Sequence, residues 1–176
     1  MRLLAAFVSL LSAFLLACPA AAQVTLSFHS FNGSMFGGHY PHTFIVLEGT
    51  DDATGERINA NYGFTAIRVT PAVLTGSVEG TVESKGLDYL RGTNRHFSIP
   101  LSAAQFHAVM VEVRTWRDMG GKDYNLNTRN CVHFVAAIAR VVGLKADVPE
   151  KLVKKPRAWL NYVTRMNPQL HAREIG

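Results

Sequence analysis

The fold of this chain is decided by residues 124–140, which read YNLNTRNCVHFVAAIAR. Asn130 is a favoured N-cap residue, so a helix is predicted to begin after it, and Gly143 provides its C-terminal end. The apolar stripe of this helix is formed by Val132, Val135, Ala136 and Ala139. Cys131 falls in the first turn, where unpaired N–H groups and the helix dipole favour an anion. We therefore expect a thiol of lowered pKa, and the same N–H groups can face an oxyanion.

The N-terminal segment has the order of a secretory signal. Arg2 supplies a positive charge, residues 3–16 are almost all apolar, and residues 20–22 are three alanines that suit a signal peptidase. The apolar run is shorter than the roughly 20 residues that a membrane-spanning helix needs. We expect a signal peptide over residues 1–22 and one domain over residues 23–176, in a periplasmic or secreted protein.

Cys131 is predicted to be the single free thiol of the mature protein. The chain has two cysteines, and Cys18 lies in the signal segment. Cleavage after residue 22 removes Cys18, and the alternative is a lipoprotein in which Cys18 is acylated. A lone thiol in an exported protein is a candidate nucleophile. The other interpretation of Cys131 is a buried, unreactive side chain.

The first hundred residues predict strands, and the later ones predict helices. Strands are predicted at residues 23–31, 43–47, 57–64, within 74–84, and at 97–99. Ser102 is a good N-cap for a helix over residues 103–116, and a last short helix is predicted over residues 156–165. The order indicates an α+β fold, in which a small antiparallel sheet packs against helices and the candidate nucleophile stands at a helix N-terminus.

A base for the thiol is expected at the start of the second strand. His42 opens that strand, and Pro41 fixes the backbone before it. His39, in the preceding glycine-rich loop, is the rival for this role. Asn59 and Asn61 point to one face of the third strand, and either amide can orient the imidazole of a cysteine–histidine–asparagine site. We favour Asn61.

These segments resemble the permuted papain-like cysteine hydrolases of the NlpC-like superfamily. Residues 130–135 are close to the cysteine motif of the lecithin retinol acyltransferase family, which has glutamate in place of Val132. The lead-in Tyr124-Asn125-Leu126 is similar to that of the permuted deubiquitinase-like (PPPDE) peptidases. In both groups a histidine opens a strand and the cysteine follows later at a helix start. His42 and the segment Asn61-Tyr62-Gly63 look like the corresponding strands.

The resemblance implies a circularly permuted papain-like fold and acyl transfer through a thioester. Cys131 would be the nucleophile, His42 the base and Asn61 the third residue. Tyr124 and Asn130 are expected to line the cleft or to help hold the oxyanion. No cofactor is needed for this chemistry. The expected function is hydrolysis or acyl transfer at an amide or ester bond of a cell-envelope peptide or lipid.

A non-catalytic module that binds an envelope ligand on the same fold is the alternative function. His133 lies about 200° around the helix from Cys131 and is expected to be structural. The histidines and Cys131 have no compact metal-ligand spacing, so no metal is expected. The formal net charge is +5, but the basic residues are scattered, so no nucleic-acid partner is expected. We expect a monomer with no transmembrane span in the mature chain.

Overall fold

A computed structural model describes residues 24–33 and 40–176 of the chain as an α+β fold. Its strands are β1 (Val24–Phe31), β2 (His42–Thr50), β3 (Arg57–Ala66), β4 (Gly80–Glu83) and β5 (Asn94–Leu101). Its α-helices are α1 (Ala72–Thr75), α2 (Leu87–Arg91), α3 (Ala103–Asp118), α4 (Cys131–Val141) and α5 (Pro156–Met166). Short 3-10 helices lie at Glu150–Leu152 and Pro168–Leu170. The predicted signal peptide, with Cys18, and the rival base His39 lie outside the described residues.

The strands form one antiparallel sheet in the order β4-β3-β2-β1-β5. The strand that begins with His42 is therefore the central one, paired with β1 on one side and with β3 on the other. The backbone at the start of β2 is paired with β1 from His42 onward, and pairing with β3 begins at Ile45. This confirms the α+β class with a small antiparallel sheet.

One face of the sheet carries the main apolar core. Leu26 lies opposite Leu47, and Phe28 lies opposite Ile45, and all four side chains are fully buried. The three long helices add their apolar faces to the same cluster, with Val109 and Val113 from α3, Phe134 from α4, and Trp159 and Leu160 from α5. This packing seats α4, and with it Cys131, against the sheet.

The other face is covered by the segment that joins β4 to β5, residues 84–93, which we call the crossover. It leaves one edge strand and arrives at the opposite edge strand, so it must pass over the sheet. Within it, Tyr89 contacts Phe44 of β2 and Phe31 of β1, with ring centroids 5.9 and 4.8 Å apart. Thr93, at its end, hydrogen-bonds His29 of β1 at 3.0 Å. The crossover therefore lies on the face to which His42 and Phe44 point.

The helix ends follow the predicted capping residues. The hydroxyl of Ser102 accepts from the N–H of Gln105 at 3.2 Å, and the side chain of Gln105 accepts from the N–H of Ser102 at 3.0 Å. At the end of α4, Gly143 has a left-handed φ of 86°, and the N–H of Leu144 donates to the carbonyl of Ala139 at 2.9 Å. Both predicted helix ends are thus confirmed.

Three regions differ from the sequence prediction. The short strand expected at residues 97–99 is extended to Asn94–Leu101, because it pairs with β1 along nearly the whole length of that strand. The region 74–84 holds the end of α1 as well as β4. The crossover helix α2 was not predicted, since five residues are too few for a helical pattern.

In the part of the chain that the structure describes, no helix is long and apolar enough to cross a membrane.

Candidate active site

Cys131 is the first residue of α4, as predicted. Asn130 is the N-cap, and its side-chain oxygen accepts from the N–H groups of Val132 at 2.9 Å and His133 at 3.3 Å. The ring of His133 turns back towards Asn130, and its Nδ1 accepts from the backbone N–H of Asn130 at 3.3 Å. His133 therefore has the structural role that was expected, as the second half of a capping box.

Asn130 fixes the start of α4 but has no free donor. Its amide nitrogen donates to the carbonyls of Leu126 and Val153, each at 2.8 Å, and the residue is only 2% exposed. Both amide hydrogens are used in these bonds, because an amide nitrogen carries only two. The residue lines the cavity described below, but its amide is not available to an oxyanion.

Backbone N–H groups lie near the sulfur atom of Cys131. They come from Thr43 on β2, from Val132 and from Cys131 itself, and each lowers the pKa of the thiol. Burial has the larger effect, because a charge is poorly solvated inside the protein, and it raises the pKa of Cys131 to about 11. The lowered pKa expected from the helix N-terminus is therefore wrong for the protein without a substrate, since the dipole contributes less than the loss of solvent.

His42, the first residue of β2, is half-buried, and its Nε2 atom is enclosed against β3. Burial lowers the pKa of the His42 ring to about 4, and the nearby positive charge of Lys85 acts in the same direction. Among the described residues, Nε2 has no hydrogen-bond partner. At neutral pH the site therefore holds a neutral imidazole and a neutral thiol.

Both candidate residues line one cavity of about 610 Å³. Its wall also includes Tyr124 and Asn130, the residues expected there, together with Tyr40, Thr65, Glu83, Lys85 and Tyr89. In the part of the chain that the structure describes, no hydrogen bond joins the His42 ring to the thiol. Catalytic hydrogen bonds are often long in structures without substrate. The structure thus brings Cys131 and His42 to the same cavity in a loose arrangement.

Asn61 does not make the expected contact with His42. It is paired with Val46, four residues along β2 from His42, which corresponds to about 13 Å of strand. Its side chain instead accepts from the N–H of Lys85 at 2.7 Å and donates to the carbonyl of Lys85 at 2.9 Å. Asn59 is paired with Glu48, still further from His42. The period-2 pattern placed both residues on the correct face, but the register places them too far along it.

Gly63 on β3 lies directly against the His42 ring. A Cβ atom there would lie 2.5 Å from Nε2 of His42 and 3.0 Å from Cβ of Phe44. A third catalytic residue at this point would need a side chain, and there is no room for one. The candidate catalytic residues are therefore Cys131 and His42, and the His42 ring packs on that of Phe44, with ring centroids 6.1 Å apart.

Tyr124 both lines the cavity and packs in the core. Its ring contacts that of Phe64 with centroids 5.5 Å apart, and its backbone pairs with Val78. Burial, and then the nearby Cys131, raise the pKa of the Tyr124 hydroxyl above its usual value. The hydroxyl therefore stays protonated at neutral pH, where it can donate a hydrogen bond.

Lys85 and Glu83 are site residues that the sequence did not reveal. They form an ion pair at the cavity wall, and Nζ of Lys85 lies 5.4 Å from the ring centroid of Tyr89. They flank the start of the crossover, where no local pattern distinguishes them from surface charges. The β3–β4 ladder, in which Glu83 lies opposite Gly63, and the bonds between Asn61 and Lys85 bring them to the site.

No family model, curated protein or solved structure matches this chain. Within residues 24–33 and 40–176, no three histidine, cysteine or acidic side chains are grouped as a metal site would need. The chemistry of the site is therefore inferred from its own residues.

Proposed function

We propose that this protein is an exported cysteine hydrolase or acyltransferase with a permuted papain-like arrangement, which acts on an amide or ester bond of a cell-envelope peptide or lipid. The observation that carries the proposal is that Cys131 and His42 line the same cavity. A second feature supports it, because the thiol stands at a capped helix start where several backbone N–H groups converge.

In the proposed reaction His42 acts as a general base. As the sulfur of Cys131 attacks the substrate carbonyl, the imidazole takes the thiol proton and becomes imidazolium. Because Nε2 is enclosed against Gly63, Nδ1 is the nitrogen that can meet the thiol. The tetrahedral intermediate then collapses, the carbon–nitrogen or carbon–oxygen bond breaks, and the leaving group takes the proton from His42.

The acyl group remains on Cys131 as a thioester until an acceptor removes it. His42 deprotonates water or a second acceptor, which attacks the thioester and releases the acyl product, and the proton returns to the sulfur. The N–H groups of Thr43 and Cys131 that now point to the sulfur are the candidate donors for the oxyanion, with the Tyr124 hydroxyl beside them.

The experiment that tests this proposal is the capture and turnover of an acyl group. The purified protein is incubated with an envelope extract, and the mass of any adduct on Cys131 is measured. Hydrolysis of a 4-nitrophenyl ester is followed in parallel for wild type, Cys131→Ala and His42→Gln. We expect Cys131→Ala to abolish turnover and His42→Gln to reduce it by about 10²–10⁴-fold. The control is His107→Gln, at an exposed position on α3. Turnover that persists in Cys131→Ala would overturn the proposal.

The second candidate is a binding module on the same fold, and one observation favours it. Burial raises the pKa of Cys131 to about 11, so the thiol is not activated before a ligand arrives. A binding module would retain envelope ligands equally well in wild type and Cys131→Ala and would form no covalent adduct. The adduct measurement therefore separates the two functions.

A further inference from the structure

The side chain of Asn61 hydrogen-bonds the backbone of Lys85, as the backbone of a neighbouring strand would. Its amide satisfies both the N–H and the carbonyl of Lys85, and its own carbonyl accepts from the hydroxyl of Ser84 at 2.6 Å. Asn61 is 8% exposed, so these bonds are protected from competing water. The start of the crossover is thereby fixed on β3, and the Lys85 side chain leaves from a defined point at the cavity wall.

The ammonium group of Lys85 is also restricted. Glu83 lies on one side of it as an ion-pair partner, and the ring of Tyr89 lies 5.4 Å from Nζ. An ammonium has three donors, so one carboxylate does not exhaust its hydrogen-bonding capacity. Among the residues that the structure describes, the charged ones at the cavity wall are Lys85, Lys154 and Glu83, which gives two cations against one anion. The cavity is therefore electrostatically suited to a negative group.

We propose that Lys85 determines specificity by binding an anionic group of the substrate, a carboxylate or a phosphate, and that Asn61 is the positioning residue for Lys85. This rests on the proposed function of the Cys131 site. The anionic group would lie in the same cavity as the scissile carbonyl, because Lys85, His42 and Cys131 all line that cavity.

The apolar part of the cavity wall indicates what the substrate contains besides the anionic group. The wall is apolar at the end of β3, along the segment that follows β3, and along the loops beside α4. The apolar residues there are Ala66, Val69, Val73, Leu74, Leu126 and Val153. The transfer of an apolar chain from water to such a surface is favourable, because it lowers the free energy. The substrate class that fits is an amide or ester that combines an apolar chain with one negative group.

The test compares two esters that differ only in this charge. Mono-4-nitrophenyl pimelate carries a free carboxylate, and its methyl ester has the same length without the charge. For each variant we take the ratio of kcat/KM for the charged ester to that for the capped ester. Lys85 also acts on the pKa of His42, and the ratio cancels this effect because both esters meet the same base.

We expect wild type to prefer the charged ester by about tenfold, which corresponds to one ion pair at a partly solvated site. Lys85→Met should bring the ratio close to one. Glu83→Gln should raise it, because the competing carboxylate is removed. Asn61→Ala should lower it, because Lys85 loses its support. Lys151→Met, at an exposed position away from the cavity, should leave it unchanged.

A binding measurement keeps this inference independent of turnover. Heptanoate, heptyl phosphate and neutral heptanamide are titrated into Cys131→Ser with and without Lys85→Met. Tighter binding of either anion, lost with Lys85→Met, supports the inference, and the two anions distinguish carboxylate from phosphate recognition. Equal binding of all three probes, or a wild-type ester ratio near one, overturns it. If anions bind through Lys85 but no ester is cleaved, the proposed function fails while the anion site remains.

Discussion

Nε2 of His42 lies 2.5 Å from the point that a Cβ atom of residue 63 would occupy, and residue 63 is glycine. Non-bonded carbon and nitrogen atoms do not approach so closely, so the position of the ring depends on the missing side chain. Gly63 thus has a steric role at the site, where an asparagine contact had been expected.

Gly63→Ala is predicted to displace the His42 ring and to reduce both stability and turnover. Overpacking of this kind costs about 1–3 kcal/mol of unfolding free energy. We expect the activation free energy of ester hydrolysis to rise by at least the same amount, because the His42 ring is displaced. Urea denaturation and ester kinetics measure the two effects. The matched control is Gly76→Ala, whose backbone is extended and whose Cβ would meet nothing within 4 Å. A Gly63→Ala protein with wild-type stability and turnover would contradict this account.

Asn61→Ala is predicted to destabilise the protein by about 1–3 kcal/mol, because the N–H and carbonyl groups of Lys85 lose their partner. Asn59→Ala provides the comparison. Asn59 lies on the same face of β3 but is exposed, and exposed substitutions usually change stability by less than about 0.5 kcal/mol. Urea denaturation of the two variants measures the loss of unfolding free energy in each. Equal losses would show that the bonds from Asn61 to Lys85 do not stabilise the protein.

Acid is predicted to destabilise the fold through its enclosed histidines. Burial is the largest cause that lowers the pKa of His29, His42 and His96 to about 4 from 6.5. Between these values the unfolded chain binds protons that the folded chain does not. The stabilising contribution is therefore complete above pH 6.5 and is lost as the pH falls towards 4.

Denaturation midpoints between pH 7.5 and 4 measure this loss, taking about half-unit steps across the window set by these pKa values. His96→Gln should reduce the slope, since it removes one of the three groups, whereas the exposed His107→Gln serves as the control. A midpoint that stays constant down to pH 4 would mean that these rings are not protected from protonation in the fold.

The thiol of Cys131 is predicted to react slowly in the absence of substrate. With its pKa raised to about 11 from 9.0, the thiolate fraction near neutral pH is about a hundredfold below that of a solvated cysteine. The rate of alkylation by iodoacetamide, compared with a short cysteine peptide between pH 7 and 9, measures this difference. A protein thiol that reacts faster than the peptide would show that a thiolate–imidazolium pair forms with His42 before substrate binds.

The local features of this fold were predictable, and the parts that depend on strand register were not. Asn130 and Ser102 reveal their helix starts because a cap is a local hydrogen-bond pattern. The position of His42 at a strand start also follows from neighbouring residues. The distance of Asn61 from His42 depends on which residues pair across β2 and β3. A period-2 pattern shows only the face of the strand on which a side chain lies, and that face does not change when the register shifts by two residues.

The electrostatics of the site were also beyond local reasoning. The helix N-terminus correctly indicated N–H groups around Cys131, but the opposing cost of burial depends on how tightly β2 and α4 pack. Lys85 reaches the site through a tertiary contact with Asn61, and its sequence neighbours Ser84 and Gly86 give no sign of it. These are properties of the assembled structure and not of any one segment.

The path of the crossover divides the site between two parts of the chain with different freedom to evolve. His42, the proposed base, is on the central strand, where an insertion or deletion would shift the alignment of every neighbour. Lys85 and Tyr89 are on a ten-residue connection, residues 84–93, which is tied to the sheet at Asn61 and at His29. Between those two ties the connection can exchange side chains without disturbing the ladder beneath it. We therefore expect divergent copies of this gene to differ in the substrate that the cavity binds before they differ in the proposed reaction.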